Sequence, residues 1–411
     1  MKAINLGSGR VLSTVLKLII PAMIAQFINV LYSIVDRMYV GNIEGIGDTA
    51  LAAVGVCAPI TTLISSFAFL IGTGGAPLFA MSLGEGREDN ARKILANAAY
   101  ALAALGVVVA AIFLIFQRPI LFTFGASDTT YDYAREYLMI YAAGAVFSIT
   151  GTGLNQYITA QGYSGIAMTS TIIGAVANIA LDPLFIFVFN MNVAPDNNSA
   201  KRNSAGARRR RRRHVDNVST VVQAFFSLTS MPMLGISEGS QPVLSYAYGA
   251  KNERLIKRAE LWITVACLVF TTFMTVMSIF CAQPFVRLFT QNAEIAEKSV
   301  WGIRVFMMGV IPLSFQYAFV DCFTALGQPK YAITLSLARK VVFFLGALIA
   351  FPLIWDVSAA FYAEPFADIA AAILTSICFA IFFPKVIRRR INGEDDLKKR
   401  RFHHRRQKTA E

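Results

Sequence analysis

The sequence predicts an all-α, polytopic membrane protein built from two repeated helical bundles, with about ten spans in all. Three observations carry this. First, 55% of the 411 residues are hydrophobic and only 15% are charged, where soluble domains carry about 25% charged residues. Second, apolar runs long enough for a bilayer, about 20 residues each, recur up to residue 383. Third, the two halves match without gaps at one constant offset. Gly74 pairs with Gly239, Pro77 with Pro242, Gly84 with Gly249, Pro119 with Pro284 and Gly144 with Gly309, while Thr159, Ala160 and Gly162 pair with Thr324, Ala325 and Gly327. Two repeated bundles facing each other form a transporter architecture with its site between them.

In chain order the spans fall at about 11–35, 50–80, 94–116, 134–158 and 164–190, then 217–246, 260–282, 300–324, 332–354 and 360–384. Short loops rich in Gly, Pro and charge separate them, such as "LGEGREDNARK" and "YGAKNERLIKRAE". The expected organisation is an N-lobe of five spans over 1–190, a disordered Arg-rich linker over 191–216, a C-lobe of five spans over 217–384, and a basic cytoplasmic tail over 385–411. The net charge of +13 resides in two segments, the linker with its run Arg208 to Arg213 and the tail. Six arginines cannot cross a bilayer cheaply, and their composition suits disorder. Lys/Arg bias of the loops places the N-terminus, the loops at 85–93 and 250–258, and the tail on the cytoplasmic side of a multi-pass plasma-membrane protein. By that count the arginine run lies outside, against the bias, which argues against a functional motif.

The five cysteines lie in or beside apolar spans with no C-x-x-C spacing, and the three histidines sit in the basic segments. No catalytic or metal cluster can be assembled from them, so the expectation is that the chain is no enzyme.

Several stretches in order resemble the MATE (multidrug and toxic compound extrusion) transporters: "IIPAMIAQFINVLYSIVDRMYVG", "TAQGYSGIAMTSTIIGAVANIALDPLFIF", "MPMLGISEGSQPVLSYAYGAKNERLIKRA", "TALGQPKYAITLSLARKVVFF" and "FYAEPFADI". The resemblance implies twelve helices in two lobes and efflux of cationic drugs in exchange for H+ or Na+. This chain departs from that pattern. The sixth and seventh helices are absent, with residues 191–216 in their place.

Four sets of residues are candidates for transport. Asn29, Tyr32 and Asp36 recur on one face of the first span, and an ionisable group at membrane depth is a functional candidate. Pro21, earlier in that span, can kink it, and Gln26 joins it as an expected cavity or kink residue. Asn178 and Asp182 share a face four residues apart, beside Pro183, and their oxygens suit a proton or Na+ equally. The resemblance makes Asp36, Asn178 and Asp182 the coupling-ion site of the first lobe. Asp321, whose repeat mate is Gln156, is a candidate second protonatable site. Arg339 reads as an interhelical or snorkelling charge.

No organic cofactor and no metal beyond Na+ at the coupling site is expected. Partners are lipophilic cations and membrane lipid, with no nucleic acid, and the chain is expected to be a monomer. The alternatives are a flippase of lipid-linked oligosaccharide, which shares the fold, or a truncated remnant that transports nothing.

Overall fold

The computed structural model describes residues 3–41, 47–127, 130–183, 207–289, 292–355 and 357–394. Side chains at 36–41, 47–54, 182–183, 207–217 and 357–358 lie outside that description. Every regular element among the described residues is helical. They are α1 (Val11–Gly41), α2 (Gly47–Gly84), α3 (Glu88–Ile115), the short α4 (Gln117–Thr123), α5 (Tyr131–Ala160) and α6 (Ser164–Pro183). The second half holds α7 (Ala207–Gly249), α8 (Glu253–Arg287), α9 (Ala293–Met307), α10 (Val310–Ala325), α11 (Pro329–Leu337), α12 (Gly346–Ile354) and α13 (Ala363–Ile391). A π-helical segment, Ala338–Leu345, joins α11 to α12 as one continuous rod. Among the described residues nine helical stretches are long and apolar enough to cross a membrane, and α9 with α10, bent by 46° at their break, make a tenth. The lipid faces of these rods stay open, as Leu70, Tyr100, Phe147 and Leu353 show, because hydrocarbon rather than water is their solvent.

The repeat seen in the sequence is a repeat of backbone geometry. α2 ends in a turn where Gly86 has φ +72° and Arg87 N–H bonds back to Ser82 O at 2.9 Å. Its mate at the end of α7 is Lys251, a non-glycine residue with positive φ (55°), and there Asn252 N–H bonds to Ala247 O at 3.0 Å. α5 and α10 stop the same way, at Gly162 (φ +86°) and Gly327 (φ +67°), each followed by a bond from the next N–H to the carbonyl five residues back. These left-handed caps satisfy carbonyls that a helix end orphans. Two helices of the second half, α8 and α9, start with side-chain caps: Asn252 Oδ1 accepts from Leu255 N–H at 3.0 Å and Asn292 Oδ1 from Glu294 N–H at 3.0 Å.

The structure corrects three boundaries. The disordered linker expected to reach residue 216 gives way to helix at Ala207, so α7 contains the arginine run. Arginine is a good helix former, and a helix already nucleated downstream extends cheaply through it. Residues 184–206 lie outside the described residues. The tail expected from 385 begins later, because α13 continues to Ile391 with Arg388, Arg389 and Arg390 in its last turn, where cations suit the helix dipole. The span expected unbroken at 300–324 bends at Met308 and Gly309.

Candidate functional site

The polar wall of the site comes from four helices, with Phe69 of α2 adding an apolar face. On α1, Gln26, Asn29 and Tyr32 follow one another at helical spacing, and on α6 Thr171, Gly174 and Asn178 do the same. α5 adds Thr152, Asn155, Gln156 and Thr159, and α7 crosses them with Gly235, Glu238 and Gly239. Together these line a cavity of about 500 Å3. α7 reaches the cavity because its glycines let it lie directly on α1. A Cβ at Gly235 would meet Ala22 O at 2.8 Å, and one at Gly239 would meet Ala22 Cβ at 2.5 Å. Glu238, between those glycines, is thereby delivered from the second half of the chain to a cavity otherwise walled by the first.

The cavity wall is rich in amides with spare acceptors. Asn29 Nδ2 donates to Gln26 Oε1 at 3.3 Å. Asn155 Nδ2 donates to Ala167 O at 3.5 Å, but Asn155 Oδ1 and Asn178 Oδ1 are buried with no hydrogen-bond partner among the described residues. A buried carbonyl without a donor costs about 1–3 kcal/mol, and a water, a cation or a substrate N–H would relieve it. Among the described lining residues of the cavity, the one charged side chain is the carboxylate of Glu238.

Behind α7 lies a second acidic group. Ser237 Oγ donates to Asp321 on α10. Glu238 and Asp321 are close enough for their charges to interact, and Glu260 on α8 is close to Asp321 as well. Glu260 is buried, accepts from Thr264 Oγ1 at 3.5 Å through Oε1, and leaves Oε2 without a partner among the described residues. A third group is an ion network. Arg339 Nε donates to Asp368 Oδ1 at 2.9 Å, its Nη2 donates to Glu364 Oε1 at 3.3 Å, and its guanidinium lies 5.6 Å from the centre of the Tyr317 ring. Arg339 is 6% exposed, so it is an interhelical charge and does not snorkel.

Of the residues singled out from the sequence, Gln26, Asn29, Tyr32 and Asn178 come together on the cavity. Asp36 and Asp182 stand on α1 and α6, and their side chains lie outside the described residues. Pro21 is not among the lining residues, and α1 runs through it as one helix. Asp321 does not line the cavity but joins the acidic group behind α7. Sequence reading overlooked Glu238 and Glu260. The available signal was the one used for Asp36, an acid inside an apolar run.

A family model described as MatE matches residues 21–184 and 218–349, most of the chain on both sides of the arginine run. The chain belongs to the MATE family. Among curated relatives, this MATE protein is 22% identical to the multidrug export protein MepA of Staphylococcus haemolyticus, over 79% of this chain and 83% of the relative. It is 23% identical to the FAD transporter of Shewanella oneidensis, over 82% and 86%. The fold superposes with a TM-score of 0.83 at 19% identity on a structure described as an outward-facing conformation of a multidrug resistance MATE family transporter, covering 94% of this chain and 99% of that one. A structure described as a MOP superfamily transporter from Pyrococcus furiosus gives 0.79 at 18% identity, over 96% and 98%. The MATE assignment and the apolar rods make this a multi-pass membrane protein of a transporter family, not of an enzyme family.

Proposed function

We propose that this protein is a secondary active multidrug efflux transporter of the plasma membrane, exporting lipophilic cations in exchange for H+ or Na+ by alternating access. The observation that carries the reading is the cavity between α1, α5, α6 and α7, whose lining is amide, hydroxyl and apolar, with Glu238 as its charged group. A carboxylate in a low-dielectric, partly apolar pocket attracts an organic cation and disfavours an anion. The relative named as an FAD transporter supplies the contrast, since the flavin dinucleotide is anionic and the wall offers no lysine or arginine among its described side chains.

The coupling ion belongs on α1 and α6. Asn178 Oδ1 is an acceptor on the cavity with no partner among the described residues. Asp182 follows it by one helical turn and Asp36 follows Asn29 by two. These residues would hold a proton or Na+, and ion and drug would compete because occupancy of one changes the affinity for the other in each state. Asp321, with Glu238 and Glu260 close by, is a second group able to hold a proton. The protein works without an organic cofactor, as a monomer, with both termini cytoplasmic.

The test is uptake of a fluorescent lipophilic cation, and separately of FAD, into everted vesicles energised by a proton or a sodium gradient. Parental protein accumulates the cation and not FAD. Asp36→Asn, Asp182→Asn and Glu238→Gln each reduce accumulation at equal expression. Parental rates in both Asp36→Asn and Asp182→Asn would sink the coupling site. Parental protein no better than an empty vector would support the remnant reading instead.

A further inference from the structure

Three voids line up along the seam where α2 meets α7. The central cavity includes Phe69 of α2 and Glu238 of α7. Below it, between Thr73, Pro77, Glu238 and Gln241, the space narrows to about 10 Å3, roughly the room one water needs. Beyond that a cavity of about 420 Å3 opens between Met81, Glu85 and Asn90 of the first half and Tyr248, Gln328 and Arg390 of the second. Beside the outer cavity, which Met81 and Tyr248 also line, the two helices touch backbone to backbone. A Cβ on Gly84 would lie 2.1 Å from Tyr246 O, and a Cβ on Gly249 would lie 2.1 Å from Met81 O. Gly84 and Gly249 are repeat mates, as are Met81 and Tyr246, so the crossing is symmetric and only glycine fits either side.

An ion pair spans the same crossing. Arg390, on the last turn of α13, is tied to its own lobe by a bond from Nε to Tyr248 O at 3.2 Å, and its guanidinium lies 5.2 Å from the Tyr248 ring centre. From there Nη2 reaches across to Glu85, in the turn that ends α2. Arg87 pairs with Glu85 from the N-lobe side. The side chains of Arg390 and Glu85 are 5% and 14% exposed, so this is a desolvated pair and not a surface bridge. The acid has no twin: the repeat position of Glu85 is Ala250.

We propose that the α2–α7 crossing, locked by Glu85 and Arg390, is the cytoplasmic gate, and that the 420 Å3 cavity is the vestibule through which substrate reaches the central site. The structure then holds the closed state of this gate. The orientation rests on the functional reading above, whereas the lock itself does not. Opening requires the lobes to part at this end, which pulls Arg390 off Glu85 and leaves Glu85 paired with Arg87 of its own half.

The test reads gate opening without transport. Thr73→Cys is introduced into a protein whose five cysteines are replaced by alanine, and labelling by a membrane-impermeant maleimide is timed in inside-out and right-side-out vesicles. With the lock intact, Thr73→Cys labels slowly from the cytoplasmic face. Glu85→Gln and Arg390→Gln each raise that rate about tenfold. The exchange Glu85→Arg with Arg390→Glu returns it toward the parental rate, which a variant that merely misfolds would not do. Gly249→Ala, which bars the close approach, raises it as the lock variants do. Unchanged labelling in Glu85→Gln and Arg390→Gln overturns the proposal. A rise confined to right-side-out vesicles overturns the cytoplasmic assignment while leaving the lock standing. Normal gating with no cation uptake would refute the transport reading alone.

Discussion

Replacing Arg339 by methionine removes a guanidinium that satisfies two carboxylates at once. Its contacts reach Asp368 Oδ1 at 2.8 and 2.9 Å and Glu364 Oε1 at 3.3 Å. The Asp368 side chain is 0% exposed, that of Glu364 9%, and that of Arg339 8%. Without the arginine, two buried acids keep only Lys340, which touches Glu364 Oε1 at 3.1 Å from a side chain 55% exposed. Breaking a buried pair by removing one partner costs about 3–5 kcal/mol, because the remaining charge has lost its compensation. Removing the exposed lysine costs about 0–1 kcal/mol. Asp368 already carries one orphaned oxygen, Oδ2, so Asp368→Asn falls between these limits. The thermal unfolding midpoint of detergent-purified protein, followed by intrinsic fluorescence, should therefore drop by about 3–6 °C for Arg339→Met, less for Asp368→Asn, and barely for Lys340→Met. Replacing all three core members at once by apolar residues of similar volume should recover much of the loss. If Lys340→Met costs as much as Arg339→Met, or the triple replacement is worse than the single one, the electrostatic account of this network is wrong.

Three further outcomes follow from the geometry. Gly75→Ala would place a Cβ 1.9 Å from Tyr157 Oη, whose bond to Ile71 O at 3.1 Å would break. A loss of about 1–3 kcal/mol is expected, relieved by adding Tyr157→Phe, and an unshifted melting curve would refute the contact. Lys251→Gly relaxes a left-handed residue (φ 55°) and should stabilise by about 1 kcal/mol, whereas Gly86→Ala at the mated turn should destabilise by a similar amount in the same melting assay. Gly174 borders the central cavity, and a Cβ added there would meet nothing within 4 Å. Gly174→Ala should leave cation uptake near parental and Gly174→Leu should abolish it without lowering thermal stability; equal uptake in both would move the substrate elsewhere.

The rods and the repeat were legible because both leave periodic traces: apolar length fixes spans, and Gly at a left-handed cap fixes where a rod must stop. Glycine pairs such as Gly162 and Gly327 therefore read correctly from the chain alone. The ends of the basic segments read badly. Charge predicts solvent, but Arg208 to Arg213 and Arg388 to Arg390 also propagate a helix that an apolar neighbour has already nucleated. The site was half legible. Gln26, Asn29 and Tyr32 share one helix and Asn178 stands out in an apolar run, so local spacing suffices for them. Glu238 reaches the same cavity only because Gly235 and Gly239 let α7 lie on α1, a tertiary fact with no local signature.

The repeat also accounts for why the described cavity lies in one lobe. Thr152 and Gly174 line it in the first half, and their mates in the second half are Tyr317 and Arg339. Tyr317 and Arg339 lie against each other, the guanidinium 5.6 Å from the ring centre, and Asp368 with Glu364 holds the arginine there. Asn178, whose carbonyl oxygen is orphaned on the cavity side, is mated to Phe343, an apolar residue that asks for no partner. At these positions the same backbone frame carries cavity-lining residues in the first half and a ring with an ion network in the second. What the second half contributes to the cavity is an acid, Glu238, with Asp321 and Glu260 behind it. Ser237, which donates to Asp321, is the chain neighbour of Glu238, so on the proposed reading protonation behind α7 and cation binding in front of it meet on a single helix.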